Sequence, residues 1–270
     1  MKYLLISNYR KQHTSTMARE VAAWLRQRSI DCDIDDGCEP TASGAYQMII
    51  VLGGDGTMLR AARRYGQSQI PVLGVNLGTV GSMSNINSDE LLEYLPEVIK
   101  GRYTLEYRLM LTVRVYEAST LLAEYHCLNE AVLKATGARM ISLMVQIDDG
   151  REHYFSGDGL MVATPTGSSA YSLSAGGPLM DPVLQALLIT PLASNIIAWK
   201  PVVLGPERRV RLRPLNCDES ILCLDGQTCL APKPGSWGEI IKAENLLPLV
   251  KLKEKPFLQG INSRLKPFDR

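Results

Sequence analysis

The chain is short of net charge. Its 29 Lys and Arg residues stand against 28 Asp and Glu, leaving +1 over 270 residues. That balance argues against nucleic acid or an anionic membrane surface as the dominant partner, since both reward excess positive charge. Long hydrophobic runs are also missing. The N-terminal Met1-Lys2-Tyr3-Leu4-Leu5-Ile6-Ser7 is too brief for a signal peptide. The richest later stretch, residues 183–193, is broken by Gln185, Thr190 and Pro191, well short of the ~20 residues a membrane span requires. None of the six cysteines (Cys32, Cys38, Cys127, Cys217, Cys223, Cys229) sits in a CxxC pair. With no export signal, reduced thiols and a cytoplasmic setting are expected. The spacing of the last three fits strand positions better than a zinc site. No GxGxxG follows a strand, no GxxxxGK[ST] occurs, and no GxSxG is present. His13, His126 and His153 lie in no triad context. These absences remove the ordinary dinucleotide fingerprint, the P-loop and the serine hydrolases.

What is present divides into two halves. Over residues 1–100 apolar runs alternate with helical spacing. Residues 3–7, 47–52 and 70–76 read as buried strands. Met17, Val21, Trp24 and Leu25 mark the stripe of a first helix; residues 57–65 and 88–100 read as two more, the last closed by Gly101. This alternation predicts an α/β domain with a parallel, doubly wound sheet. Residues 101–250 change period. Leu109, Leu111, Val113 and Val115 alternate with polar neighbours, as do Leu143, Val145 and Ile147, and Asp149-Gly150 signals a hairpin. A β-rich, sandwich-like second domain is expected, with one helical stretch near residues 183–188. Residues 251–270 form a C-terminal tail, expected to pack back on the first domain.

Three motifs carry chemistry. The first is Gly53-Gly54-Asp55-Gly56-Thr57, between a buried strand and a helix. Glycines let the backbone approach a ligand, and the helix N-terminus attracts phosphate. An Asp in such a loop repels phosphate, so it needs another purpose: a general base for a hydroxyl, a contact to Mg²⁺, or a helix N-cap. The second is Asn129-Glu130, an amide beside a carboxylate in an apolar setting, able to read hydroxyls or base edges; by itself the pair also fits a turn or an edge strand. The third runs from Ser156 to Pro178 and is dominated by Gly, Ser and Thr, with Tyr171 as its aromatic. It suits a polar pocket lined by backbone.

Together, and in this order, the three motifs resemble the NAD kinase family, with Asp225-Gly226-Gln227 as a fourth family-like element. The resemblance covers residues 48–230 and is most specific over residues 164–178. It implies transfer of the ATP γ-phosphoryl group to the adenosine-ribose 2′-hydroxyl of NAD. It further implies a Rossmann-like first domain, a β-rich second domain and a homodimer or homotetramer. By position Asp55 is the family's general base. Asp55, Gly56, Asn129, Glu130, Arg139, Asp158, Ser169, Ala170, Tyr171, Ser172, Leu173, Ser174, Ala193 and Gln227 fall on dinucleotide-contacting positions. Gly53, Gly54, Gly56, Thr57 and Arg60 are the phosphate-binding candidates. Arg63 and Arg64, on the same helix face as Arg60, are expected to be solvated. Arg208, Arg209, Arg211 and Arg213 suggest either an anion site or an ordinary charged sheet face. No all-protein metal cage is evident, so a divalent ion, Mg²⁺, is expected to arrive with ATP or polyphosphate. Ser82 stands where the family carries an aromatic, and a serine cannot stack on a base. Two alternatives are a lipid kinase of the wider GGDG group and a non-catalytic NADP(H) sensor.

Overall fold

The computed structural model describes residues 1–8, 10–37, 44–78, 83–196 and 199–254. Ser82, Cys38 and the tail from residue 255 lie outside the described residues. The chain forms two units: Met1–Tyr107 together with the segment from Leu247, and Arg108–Leu246.

The first unit is a sheet with helices. Its strands are β1 (Lys2–Ile6), β2 (Asp31–Asp35), β3 (Met48–Leu52), β4 (Val72–Asn76), β5 (Ile86–Asn87) and β6 (Thr104–Arg108), joined by the returning strand Leu247–Lys251. All five residues of β3, MIIVL, are buried, as expected of a central parallel strand covered on both faces. The order is β2-β1-β3-β4, then Leu247–Lys251 and β6. The pairs β1–β2, β1–β3 and β3–β4 are parallel. Helix α1 (Gln12–Arg26) buries Ala18, Val21, Ala22 and Leu25 on the face the sequence spacing marks. Helix α2 (Asp55–Tyr65) buries Met58, Leu59, Ala61 and Ala62. Helix α3 (Leu91–Ile99) follows a turn capped by Asn87, whose side chain and that of Glu90 exchange hydrogen bonds with the backbone. Strand β2, with the sequence DCDID, carries no apolar run that marks it in the sequence. Its Asp35 is buried, and the Arg64 guanidinium meets it at 2.8 Å. Arg64 is therefore tied to the sheet rather than free in solvent.

The second unit is a sandwich of two sheets. One sheet contains β7 (Leu111–Glu117), β8 (Thr120–Cys127), β10 (Ile141–Ile147), β11 (His153–Gly157), β15 (Val210–Pro214) and β18 (Ser236–Lys242). The other contains β9 (Glu130–Ala135), β12 (Gly159–Ala163), β13 (Leu187–Leu192), β14 (Val202–Leu204), β16 (Ser220–Leu224) and β17 (Thr228–Leu230), in the order β14-β13-β12-β9-β16-β17. Their facing side chains form the core, with Leu143, Phe155, Leu160, Val162, Ile189 and Leu212 all buried. Strand β12 is buried on both faces. Leu160 and Val162 enter this core, while Met161 and Ala163 pack with Met180 and Leu188 on the opposite side. Each buried Val, Leu, Ile, Phe or Met side chain of this kind contributes roughly 1.5–3 kcal/mol relative to exposure.

Residues 183–188, expected as a helix, instead form a turn leading into β13, which pairs with both β12 and β14. A short apolar run fits a helix or a buried strand equally well; here the neighbouring strands β12 and β14 supply the hydrogen bonds. Asp149-Gly150 does join an antiparallel pair, β10 and β11. The arginines in and just before β15 form a compensated charged face: Arg211 lies 3.3 Å from Glu239, Arg213 3.0 Å from Glu152, and Arg208 2.6 Å from Asp148. Among the described residues no helix is long and apolar enough to cross a membrane.

Candidate active site

In the first unit the strand order reverses direction between β1 and β3, because β2 lies outside β1 while β4 lies outside β3. The carboxyl ends of strands at such a switch point form a natural ligand crevice. Gly53-Gly54-Asp55 follows β3 there. The Gly53 N–H is held by the Val75 carbonyl at 3.0 Å, and Gly54 is the N-cap of α2. Asp55 is therefore the first helical residue, and its carboxylate does not cap the helix. That removes the N-cap explanation for an acid in this loop.

The glycines differ in what they require. A Cβ on Gly53 would meet the Thr57 side chain at 2.5 Å, whereas one on Gly54 would meet nothing within 4 Å. Thr57 thus packs on the loop, and Gly54 presents an open backbone face at a helix N-terminus, a favourable place for an anion. Gly56 is exposed beside it. The Arg60 guanidinium turns back to the Ser7 carbonyl, at the end of β1.

In the second unit the second and third motifs are built against each other. Asn129 and Glu130 are 8% and 5% exposed. Thr164 N–H donates to the Asn129 carbonyl at 2.8 Å, and the Thr164 hydroxyl donates to the Leu128 carbonyl at 2.6 Å. The same hydroxyl oxygen accepts the Gly167 N–H at 3.0 Å. A Cβ on Gly167 would lie 2.1 Å from the Asn129 carbonyl oxygen, so only glycine permits this approach. Ser168 bonds Pro165 and Met180, and the Ser172 hydroxyl pairs with Thr190 at 2.8 Å. The side chains of Ser168 and Ser172 thus anchor the stretch to the interior. The hydroxyl of Ser169 donates to the Thr166 carbonyl at 3.2 Å. Ala170 is partly exposed and begins the short helix α4 (Tyr171–Ser174), on which Tyr171 and Ser174 are exposed and Leu173 is half-buried.

Asp225, which the sequence places in a family-like element without a role, anchors this backbone. Its carboxylate accepts backbone N–H groups from Leu128 at 3.0 Å, Asn129 at 2.8 Å and Glu130 at 3.2 Å. Asp225 and Gly226 have φ of 50° and 62°, the left-handed pair of a tight Asp-Gly turn, and the Gln227 N–H closes it on the Leu224 carbonyl. Gln227 is exposed at this turn. The Asp-Gly dipeptide was the available signal for the turn. Its partners, nearly a hundred residues away, left none.

The three bonds fix the backbone beneath Asn129 and Glu130 while their side chains retain unused polar atoms. Asn129 Oδ1 and Glu130 Oε2 are buried without a hydrogen-bond partner among the described residues. A buried orphan of this kind costs free energy unless a ligand satisfies it. Burial pushes the Glu130 carboxyl up to about 8, with the Asp225 charge adding to the effect. At neutral pH Glu130 is then mostly a neutral acid that can donate a hydrogen bond, beside an amide that can do both.

Not every candidate gathers at this end of the sheet. Glu130 opposes Ala163 at one end of β12, whereas Asp158 precedes the other end, where Gly159 opposes Leu192. Five residue steps at ~3.3 Å place Asp158 about 16 Å from the Glu130 level. Ala193, exposed with φ of 42°, lies with Asp158, whose N–H donates to the Leu192 carbonyl. Arg139 is at that end too, 3.1 Å from Glu219 and 85% exposed.

Comparison with known proteins matches both units. Residues 31–103 match the ATP-NAD kinase N-terminal domain and residues 128–252 the ATP-NAD kinase C-terminal domain. This chain belongs to the NAD kinase family. It is 35% identical to the NAD kinase of Syntrophotalea carbinolica over 263 residues, 92% of each chain. It is 37% identical to that of Carboxydothermus hydrogenoformans over 225 residues, 83% of this chain and 80% of the relative. Among solved structures, an Archaeoglobus fulgidus NAD kinase in complex with ATP superposes with a TM-score of 0.77 at 25% identity, covering 97% of this chain and 99% of that one. The fold is also that of yeast NADH kinase, complexed with NADH, with a TM-score of 0.85 at 24% identity, covering 97% and 86%. Membership over this length makes the chain an NAD kinase enzyme and favours neither the lipid-kinase nor the sensor alternative.

Proposed function

We propose that the chain transfers the γ-phosphoryl group of ATP to the adenosine-ribose 2′-hydroxyl of NAD, with Asp55 as the base that accepts the hydroxyl proton. The supporting observation is the position of Asp55, an acid released from capping duty at a helix N-terminus on the switch point of a parallel sheet. A ribose hydroxyl is a poor nucleophile until its proton is removed, and a positioned base contributes roughly 10²–10⁴ in rate. The open backbone at Gly54, with Gly53, Gly56 and Thr57, takes the phosphates. The remaining acceleration is positioning and charge neutralisation. Asn129, Glu130, Ser169, Ala170, Tyr171 and Gln227 hold the dinucleotide. The orphaned oxygens of Asn129 and Glu130 await polar groups of the kind it carries.

The divalent ion enters as part of the substrate, on the donor phosphates. Inorganic polyphosphate presents the same repeating phosphates and is a candidate donor. The separation of Asp158, Ala193 and Arg139 from the Asn129 end of the sheet supports a homodimer or homotetramer, in which a second copy supplies this group. A cytoplasmic setting, where ATP and NAD are both available, belongs to the same proposal.

The test is product formation by purified protein with NAD, ATP and Mg²⁺, read by an NADP-specific dehydrogenase so that only the 2′-phosphate scores. Turnover is expected. Its absence with NAD and NADH, and with ATP and polyphosphate, would overturn the proposal.

A further inference from the structure

We propose that Cys223 and Cys229 form a reversible thiol–disulfide switch that controls dinucleotide affinity through Asp225; the inference rests on the NAD kinase reading of the Asn129 site. The expectation of reduced thiols throughout fails at this pair. Strand register sets Cys223 opposite Cys229, with Cα atoms 4.3 Å apart, and the two sulfurs are bonded. Among the described residues, Cys32, Cys127 and Cys217 are not disulfide-bonded.

The location gives the bond its consequence. It closes the hairpin β16–β17 one residue before Leu224 and two before Asp225. Strand β17 has three residues and lies at the sheet edge, with β16 as its neighbour. Strand β17 is held to the sheet by three residue pairs with β16 alone, whereas β16 is also paired along its length with β9. The turn of this hairpin carries Asp225 and Gly226 in the left-handed region, for which an Asp-Gly pair is suited. The disulfide fixes the register of the two arms of this turn, from which the Asp225 carboxylate meets the N–H groups of Leu128, Asn129 and Glu130. In the reduced hairpin this register is less constrained, and the backbone that aims Asn129 and Glu130 loosens with it.

The chemistry is accessible. Cys229 is exposed, while Cys223 is 7% exposed. The Cys229 thiolate attacks one sulfur of a low-molecular-weight disulfide and expels one thiol. Cys223 then attacks the mixed disulfide and expels the second. Two protein thiols become one disulfide as one small disulfide becomes two thiols, and a dithiol reductant reverses both steps. Oxidation would favour synthesis of NADP, the precursor of the hydride donor that returns disulfides to thiols.

The experiment equilibrates the full chain with oxidised or reduced glutathione, traps free thiols by alkylation, and locates them by mass spectrometry. NAD affinity is measured by calorimetry, with KM and kcat alongside. Oxidised protein is expected to protect Cys223 and Cys229 and to show a Kd and a KM for NAD about five- to tenfold lower than reduced protein, a modest coupling between sites, with kcat nearly unchanged. Cys229→Ser, at an exposed position, is expected to keep the reduced values in both buffers, and Cys217→Ser to respond as wild type. Equal constants in the two states, or alkylation of both cysteines after oxidation, would overturn the switch. Absence of turnover in both states would count against the activity itself, while the thiol trap and the calorimetric Kd would still decide the switch.

Discussion

Asp225 Oδ1 accepts the backbone N–H of Asn129 at 2.8 Å across 96 residues of sequence. This bond, with those from Leu128 and Glu130, makes one carboxylate the anchor of the dinucleotide-reading backbone. Asp225→Asn removes the charge and converts one accepting oxygen into a donor that faces an N–H. Hydrogen bonds to a charged group contribute roughly 1.5–3 kcal/mol each. The expected result is a KM for NAD raised about tenfold or more, with kcat less affected and a lower Tm. Steady-state kinetics and calorimetry check this; unchanged KM and Tm would remove Asp225 from the role.

Glu130 makes stability depend on pH. Its carboxyl titrates near 4.5 when unfolded and at about 8 when folded, so between those values the native state holds a proton that the unfolded state has released. The contribution is complete below pH 4.5 and is lost as pH rises through 8. Glu130→Gln, which keeps the neutral shape, is expected to flatten the corresponding fall of Tm from pH 5 to 8. An identical slope in wild type and variant would show that Glu130 is not the group responsible.

Two glycines separate folding from function. Gly167→Ala would place a Cβ 2.1 Å from the Asn129 carbonyl oxygen, and the backbone on either side cannot yield cheaply. A Tm loss and weakened NAD binding are expected together. Gly54→Ala has open space around the new Cβ. It is expected to retain its Tm while turnover falls, because the methyl occupies the approach to the helix N-terminus. Thermal melts and kinetics on the pair test the contrast; equal Tm losses would contradict it.

The separation of Asp158 from the Asn129 end of β12 leads to a complementation test. Asp158→Ala and Asn129→Ala are each expected to be poorly active. Mixed subunits of a dimer would rebuild one intact site in each heterodimer, restoring about a quarter of wild-type activity after random exchange. No recovery after verified exchange would assign both residues to the same subunit's site.

Much of this was legible in the sequence because its signals are local. The GGDG loop lies between an apolar run and a helical stripe, and Asp149-Gly150 and Asp225-Gly226 are turn dipeptides whose geometry follows from their chemistry. What escaped depends on distant partners. Strand β2 reads as an acidic segment until Arg64, 29 residues on, neutralises Asp35. Residues 183–188 carry an apolar run that neighbouring strands, rather than local spacing, turn toward β structure. The Cys223–Cys229 pair and the two ends of β12 follow from strand register, which the residues themselves do not spell.

The most direct measurement is NADP formation by Asp55→Asn, compared with wild type at saturating NAD, ATP and Mg²⁺. The variant is expected to fold with an unchanged Tm and to bind NAD within a few-fold of wild type, while kcat falls roughly 10²–10⁴-fold. A variant that retains near-normal kcat would contradict the assignment of Asp55 as the base and leave the chemistry to positioning alone.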